Sequence, residues 1–127
     1  LDPDLEVLGY FTIDGGGEAA DRLLAIPDRP TALFAESDEM AYGAMRAARR
    51  AGLRVPQDVA IVGFDDHLTA ELMNLSTIRQ PVAERAVDHP PSLLSPLATH
   101  DDCAAAEVVL PTQLVVRAST DPSAAVL

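Results

Sequence analysis

The chain has 127 residues, 48% hydrophobic and 23% charged, enough for one soluble globular domain with a modest core. A net charge of −11 argues against a surface that itself grips nucleic acid, because phosphate binding needs a basic face. A single cysteine, Cys103, excludes an internal disulfide, and no apolar run approaches the roughly 18 residues that span a bilayer. All nine basic residues are arginine, which with the abundant alanine reads as a composition bias rather than a functional signal. The first residues, Leu1 to Leu5, carry neither a basic region nor an apolar core, so no signal peptide is expected. With no initiator methionine, a fragment or a processed chain is expected.

Leu5–Tyr10 reads as a short strand. Asp14-Gly15-Gly16-Gly17-Glu18 reads as a flexible turn opening a helix through about Ile26, with Ala19, Ala20, Leu23 and Leu24 at helical spacing. Pro27 to Pro30 ends it. Thr31–Ala35 reads as a buried strand. Ser37-Asp38 has the look of a helix N-cap with Glu39 in the first turn, and the helix runs to about Ala51 before Gly52 stops it. Val59 to Asp66 then forms a near-continuous apolar run ending in two carboxylates. Such a run fits a strand buried on both faces of a parallel sheet. The order β-α-β-α-β predicts an α/β domain with a parallel sheet flanked by helices.

After Asp66, His67 to Met73 predicts a short helix, Leu75–Ile78 a short strand, and Arg79-Gln80-Pro81 a break. Val82 to Val87 begins another helix, which Pro90, Pro91 and Pro96 should interrupt. Glu107 to Leu110 and Leu114 to Val116 are strand candidates around Pro111. Thr120 to Leu127 reads as a disordered tail.

In open α/β sheets ligands bind at the C-terminal edge of the strands, where Asp65 and Asp66 emerge. Asp65 is read as the ligand-facing carboxylate and Asp66 as the cap of the following helix. Two weaker signals compete. Gly15 to Ala20 matches G-x-G-x-x-A, with Glu36 about 20 residues on, as in a dinucleotide-binding fold; but Phe11 to Asp14 separate the strand from the glycines. His100, Asp101, Asp102 and Cys103 are potential metal ligands, but they are adjacent and not spaced for one tetrahedral site. His67 beside the two aspartates could serve as an acid/base group, although a loop histidine is the commoner case. No metal, cofactor or catalytic residue is expected.

Several runs together resemble the LacI/GalR family of bacterial transcription regulators, in their periplasmic-binding-protein-like effector domain (type I). They are Arg29 to Ala35, Ser37 to Ala44, Gly52 to Val59, Val62 to Asp66, Leu75 to Pro81 and Leu110 to Thr120. The resemblance covers roughly residues 5–85 and 107–120. It implies a non-enzymatic sensor of a small molecule, usually a carbohydrate, bound between two subdomains and coupled to operator DNA through an N-terminal helix-turn-helix not found in this sequence. Cytoplasmic location, no membrane contact and a homodimer follow from the same resemblance. It places Asp65, Phe11, Ser37 and Gln80 at the ligand. Ser37 stands where the family often has an asparagine. It places Glu39, Tyr42 and Leu72 at the dimer interface. It divides residues 1–120 into a C-terminal subdomain core (5–80), a helical region that packs on the first subdomain (81–106, irregular here because of its prolines and apolar on its surface) and a returning strand (107–120). Residues 121–127 are left as the tail. A nucleotide-binding oxidoreductase fragment or a periplasmic-type sugar-binding protein are the alternatives.

Overall fold

The computed structural model describes residues 2–81 and 111–124. Its centre is the strand β2 (Ala60–Asp65), hydrogen-bonded to β1 (Ala32–Phe34) on one side and β3 (Ser76–Arg79) on the other. Both pairings are parallel, with Leu33 opposite Ile61 and Gly63 opposite Thr77. β4 (Gln113–Val115) adds an antiparallel strand beside β3, giving the order β1-β2-β3-β4. Parallel neighbours need crossovers. Here they are α2 (Asp38–Arg50), between β1 and β2, and the short α3 (Leu68–Leu72), between β2 and β3. A further helix, α1 (Ile13–Leu24), precedes β1 and packs on α2.

α2 forms because its apolar positions recur at helical spacing and both of its ends are satisfied. Ser37 accepts the Met40 amide through Oγ at 3.2 Å, and Gly52, at a φ of +72°, ends the helix in the left-handed conformation that suits glycine. Its buried stripe is mostly alanine: Ala41, Ala44, Ala47 and Ala48 lie against Leu33, Val59, Ile61 and Leu75. A second side, through Met40 and Gly43, meets α1, and at its exposed rim Arg46 pairs with Asp14 and Arg50 with Asp21, both at 2.6 Å.

Four expectations need correction. Leu5–Tyr10 is not a strand: a 3-10 turn occupies Pro3–Leu5, and the amides of Leu5 and Glu6 bond locally to Asp2 and Pro3 instead of to a neighbouring strand. The triple glycine is not a turn. The helix begins at Ile13, Thr12 caps it, and the glycines lie in its first two turns. Gly16 is there because α1 and α2 touch through backbone: a Cβ on it would fall 2.4 Å from the Met40 Cα, while Gly15 lies against the Gly9 carbonyl. β2 is not equally buried on both faces. Ile61 and Gly63 are covered by α2 and Leu75, while Ala60, Val62 and Phe64 on the other face are only half-buried. Finally, Thr120 to Ala124 are ordered by turns: Thr120 Oγ1 lies 2.6 Å from Ser76 Oγ, and the Asp121 carboxylate accepts from both the amide and hydroxyl of Ser123. The expectations for 82–110, including the helix from Val82, the proline-broken region and the strand over Glu107–Leu110, lie outside the described residues.

Candidate functional site

The parallel strands bring three predicted site residues to one edge. Ser37 lies between β1 and α2, Asp65 ends β2, and Gln80 follows β3. Phe11 lies two residues ahead of α1. The first turn of α1 packs tightly on α2, where a Cβ on Gly43 would come within 2.0 Å of the Ile13 carbonyl oxygen.

Asp65 and Gln80 are in direct contact: Gln80 Nε2 donates to Asp65 Oδ1 at 2.6 Å. Among the described residues, the second Asp65 carboxylate oxygen and the Gln80 amide oxygen have no hydrogen-bond donor and can act as acceptors. Paired acceptors beside an amide donor suit a ligand carrying neighbouring hydroxyls, which both give and take hydrogen bonds. Phe11 is 65% exposed and sits, with Tyr10, at a φ of +54°. Aromatic residues rarely adopt that conformation, and a ring held there presents a flat apolar face to solvent. Ser37 is buried, with its hydroxyl engaged in capping α2.

Asp66 does not cap α3. His67 occupies the N-cap position and makes no side-chain cap bond. The Asp66 side chain is 6% exposed and takes Arg79 Nε at 2.6 Å and Arg117 Nη2 at 2.9 Å. Burial disfavours its charge, but the hydrogen bonds and positive charges of the two arginines outweigh burial and hold its carboxyl below the usual carboxylate range. The backbone explains the split between the two aspartates. Asp65 has a φ of +112° and Asp66 of +57°, so the strand geometry ends and consecutive side chains separate, one to Gln80 and one to the arginines. Two such non-glycine residues in succession cost on the order of 1–3 kcal/mol each, which the surrounding bonds must hold in place.

Sequence alone marks Asp38 only as part of a cap. It is fully buried, accepting from Thr77 Oγ1 at 2.6 Å and from the His67 amide at 2.8 Å. It therefore ties the start of α2 to β3 and to the turn after Asp66. No local pattern signals this, since the partners lie 29 and 39 residues away. His67 itself is exposed and its Nδ1 lies 3.2 Å from Glu39 Oε1. Among the described residues no cluster of histidine, cysteine or acidic side chains could hold a metal ion. The stretch His100 to Cys103 falls outside them.

The three residues expected at a dimer interface come together at α2 and α3. Glu39 pairs with His67, the Tyr42 hydroxyl lies 2.8 Å from Thr69 Oγ1, and Leu72 is 77% exposed.

A parallel sheet with crossover helices, an antiparallel last strand and polar residues gathered at the strand ends define an α/β module of the open-sheet type. Residues 6–120 match the family described as periplasmic binding protein-like domain, and the chain belongs to it. The match runs to LacI-family regulators. The chain is 38% identical over 118 residues to the probable HTH-type transcriptional repressor ExuR of Bacillus subtilis, covering 91% of this chain and 35% of that protein. A LacI transcriptional regulator from a Rhodococcus species has a similar structure, with a TM-score of 0.75 at 35% identity over 92% of this chain and 43% of the other. A LacI-family regulator from Lactobacillus casei, solved with bound glucose, gives a TM-score of 0.68 at 31% identity over 86% and 40%. The chain thus spans less than half the length of each, and covers only part of the effector domain that these regulators carry.

Against this fold the dinucleotide fingerprint fails. Its glycines lie inside the first two turns of α1, with Gly16 and Gly17 buried, whereas that motif needs them in an open turn facing a pyrophosphate.

Proposed function

We propose that the chain is part of the ligand-sensing domain of a bacterial LacI-type transcription regulator. It binds a small molecule, a sugar by preference, at the C-terminal edge of β1 to β3. The single observation that carries this reading is the Asp65–Gln80 pair, joined at 2.6 Å at the end of adjacent parallel strands. In this reading Asp65 and Gln80 take the sugar hydroxyls and the Phe11 ring packs on the apolar face of the pyranose or furanose. Ser37 lines the floor and acts through the α2 cap. The glucose-bound relative supports the ligand class. No residue acts as a catalyst, and the relatives' names describe regulators.

Occupancy changes operator affinity if the ligand binds one of two subdomain arrangements more tightly than the other, since only differential affinity shifts an equilibrium. The DNA is read by a helix-turn-helix elsewhere in the regulator, in the cytoplasm. A homodimer through α2 and α3 completes the picture, with Glu39, Tyr42 and Leu72 at its centre. Among the described residues no helix is long and apolar enough to cross a membrane.

Calorimetric titration with a panel of mono- and disaccharides tests the reading, with Asp65→Ala as the control. Saturable binding that Asp65→Ala weakens by a hundredfold or more is the expected result. No binding of any sugar by the unaltered protein, or equal binding by Asp65→Ala, would overturn it.

A further inference from the structure

We propose that Arg117 is a positioning residue for the ligand site: by gripping Asp66 it fixes the backbone turn that aims the neighbouring Asp65 carboxylate at Gln80. The functional meaning of this clamp rests on the sensor reading, but its geometry stands independently.

Arg117 is itself held from three directions. Nη1 donates to the Leu75 carbonyl at 2.7 Å, Nη2 to Asp66 Oδ1 at 2.9 Å, and its amide to Ser76 Oγ at 2.7 Å. Its side chain is largely buried, unlike that of Arg79, which also reaches Asp66 but is half-exposed. A guanidinium fixed at several donors is pre-organised and can impose a position on its partner. Next to Arg117 the chain is pinned again: Ser119 Oγ donates to the Ile61 carbonyl, and its amide to that of Asn74. The returning segment is therefore a rigid strut, not a loose end.

The strut bears on Asp66 where the backbone is least able to hold itself. Asp65 and Asp66 are consecutive non-glycine residues in the left-handed half of conformational space. Besides the two arginines, the bonds fixing this turn are the Asp66 amide to Thr77 Oγ1 at 3.3 Å and the His67 amide to Asp38 at 2.8 Å. Losing the Arg117 contact would free the Asp66 side chain on its buried flank. The turn could then relax toward negative φ, swinging Asp65 away from Gln80. The same registry links the outer arginine: Arg79 lies opposite Asp65 in the ladder and directly precedes Gln80. Both partners of the ligand pair are thus flanked by members of the clamp.

The side-chain amide resonances of Gln80 in the full chain report the Asp65 bond without any ligand. In Arg117→Met they should move toward those of a free glutamine, while core methyl signals of Leu33 and Ile61 stay in place. Arg117→Lys keeps a donor and a charge, and should restore most of the shift. Should Arg117→Met fail to fold, Asp66→Asn tests the same link with near-identical shape. In parallel, affinity for whichever of D-glucose, D-galactose, D-ribose or sucrose binds the unaltered chain should fall tenfold or more in Arg117→Met and recover in Arg117→Lys. Unchanged Gln80 signals in a folded Arg117→Met or Asp66→Asn chain overturn the proposal. Failure of every sugar to bind the unaltered chain counts against the sensor reading alone, because the Gln80 signals still decide the clamp.

Discussion

Asp38 shows what a single buried charge does here. Its carboxylate is fully buried at the first helical position of α2, where the free amides of a helix start favour negative charge. It accepts from a hydroxyl of β3 and an amide of the turn after β2. Gly63 leaves the space it needs, since a Cβ there would lie 2.4 Å from Asp38 Oδ1. Asp38→Ala would leave the buried Thr77 hydroxyl proton and the part-buried His67 amide without their acceptor, each at about 1–3 kcal/mol at most. The net loss expected is about 2–4 kcal/mol, reduced from the sum because the desolvation cost of the carboxylate also disappears. Asp38→Asn should cost less, because its oxygen can keep the His67 amide while its NH2 donates to Thr77 Oγ1. Urea unfolding of the three proteins measures both; an Asp38→Ala midpoint equal to that of the unaltered chain would show that the carboxylate contributes nothing.

At the scale of elements, α1 and α2 meet through glycine, and two substitutions that look alike should behave oppositely. In an exposed helix, glycine to alanine gains about 1 kcal/mol from propensity. At Gly43 the new Cβ would lie 2.0 Å from the Ile13 oxygen and 2.5 Å from the Gly17 nitrogen, both backbone atoms that yield only if the helices part. Gly43→Ala should therefore destabilise by about 1–3 kcal/mol, the usual cost of overpacking. At Gly17 the nearest atom is the Arg46 Nη2 at 3.3 Å, the far end of a flexible side chain, so Gly17→Ala should be neutral or mildly stabilising. Thermal midpoints that move the same way in both variants would refute this explanation of the helix contact. The glycines also mark where sequence ceases to be legible. β2, β3 and α2 are readable because apolar runs, periodicity and caps are local signals. Gly15 to Gly17 read as a loop because local propensity disfavours glycine in helices, and at Gly16 the close approach of the partner helix reverses that preference. Asp65 and Gln80 are within reach from their places at strand ends and from the family resemblance. The Asp66–Arg117 pair is not, being 51 residues apart with no pattern that connects its members. Leu5–Tyr10 fails for the complementary reason: a short, mostly apolar run suggests a strand, but a strand exists only where a neighbour supplies its bonds.

For the whole molecule, the question is what covers α3. Scattered surface leucines are ordinary. Here Leu68 is 83% exposed, Leu72 77% and Met73 46%, all within or directly after one five-residue helix whose side-chain hydrogen bond among the described residues, Thr69 to Tyr42, runs to α2. A self-complementary contact about a two-fold axis would bury that face on both copies at once. Two chains of net charge −11 repel each other, so such a dimer must be held by its apolar centre against an electrostatic penalty. Added salt screens the repulsion and should strengthen the dimer, the reverse of an association driven by ion pairs. Leu72→Glu both removes apolar area and adds like charge, and should leave a folded monomer. Sedimentation equilibrium of the full chain, 13.4 kDa as a monomer, reads both effects. A mass that stays monomeric at all concentrations, or a Leu72→Glu chain that dimerises as well as the original, would remove α3 from the interface. Because α3 is anchored by the same turn that carries Asp65 and Asp66, an interface at α3 would sit one short helix away from the ligand pair, close enough for ligand and partner to bear on the same piece of backbone.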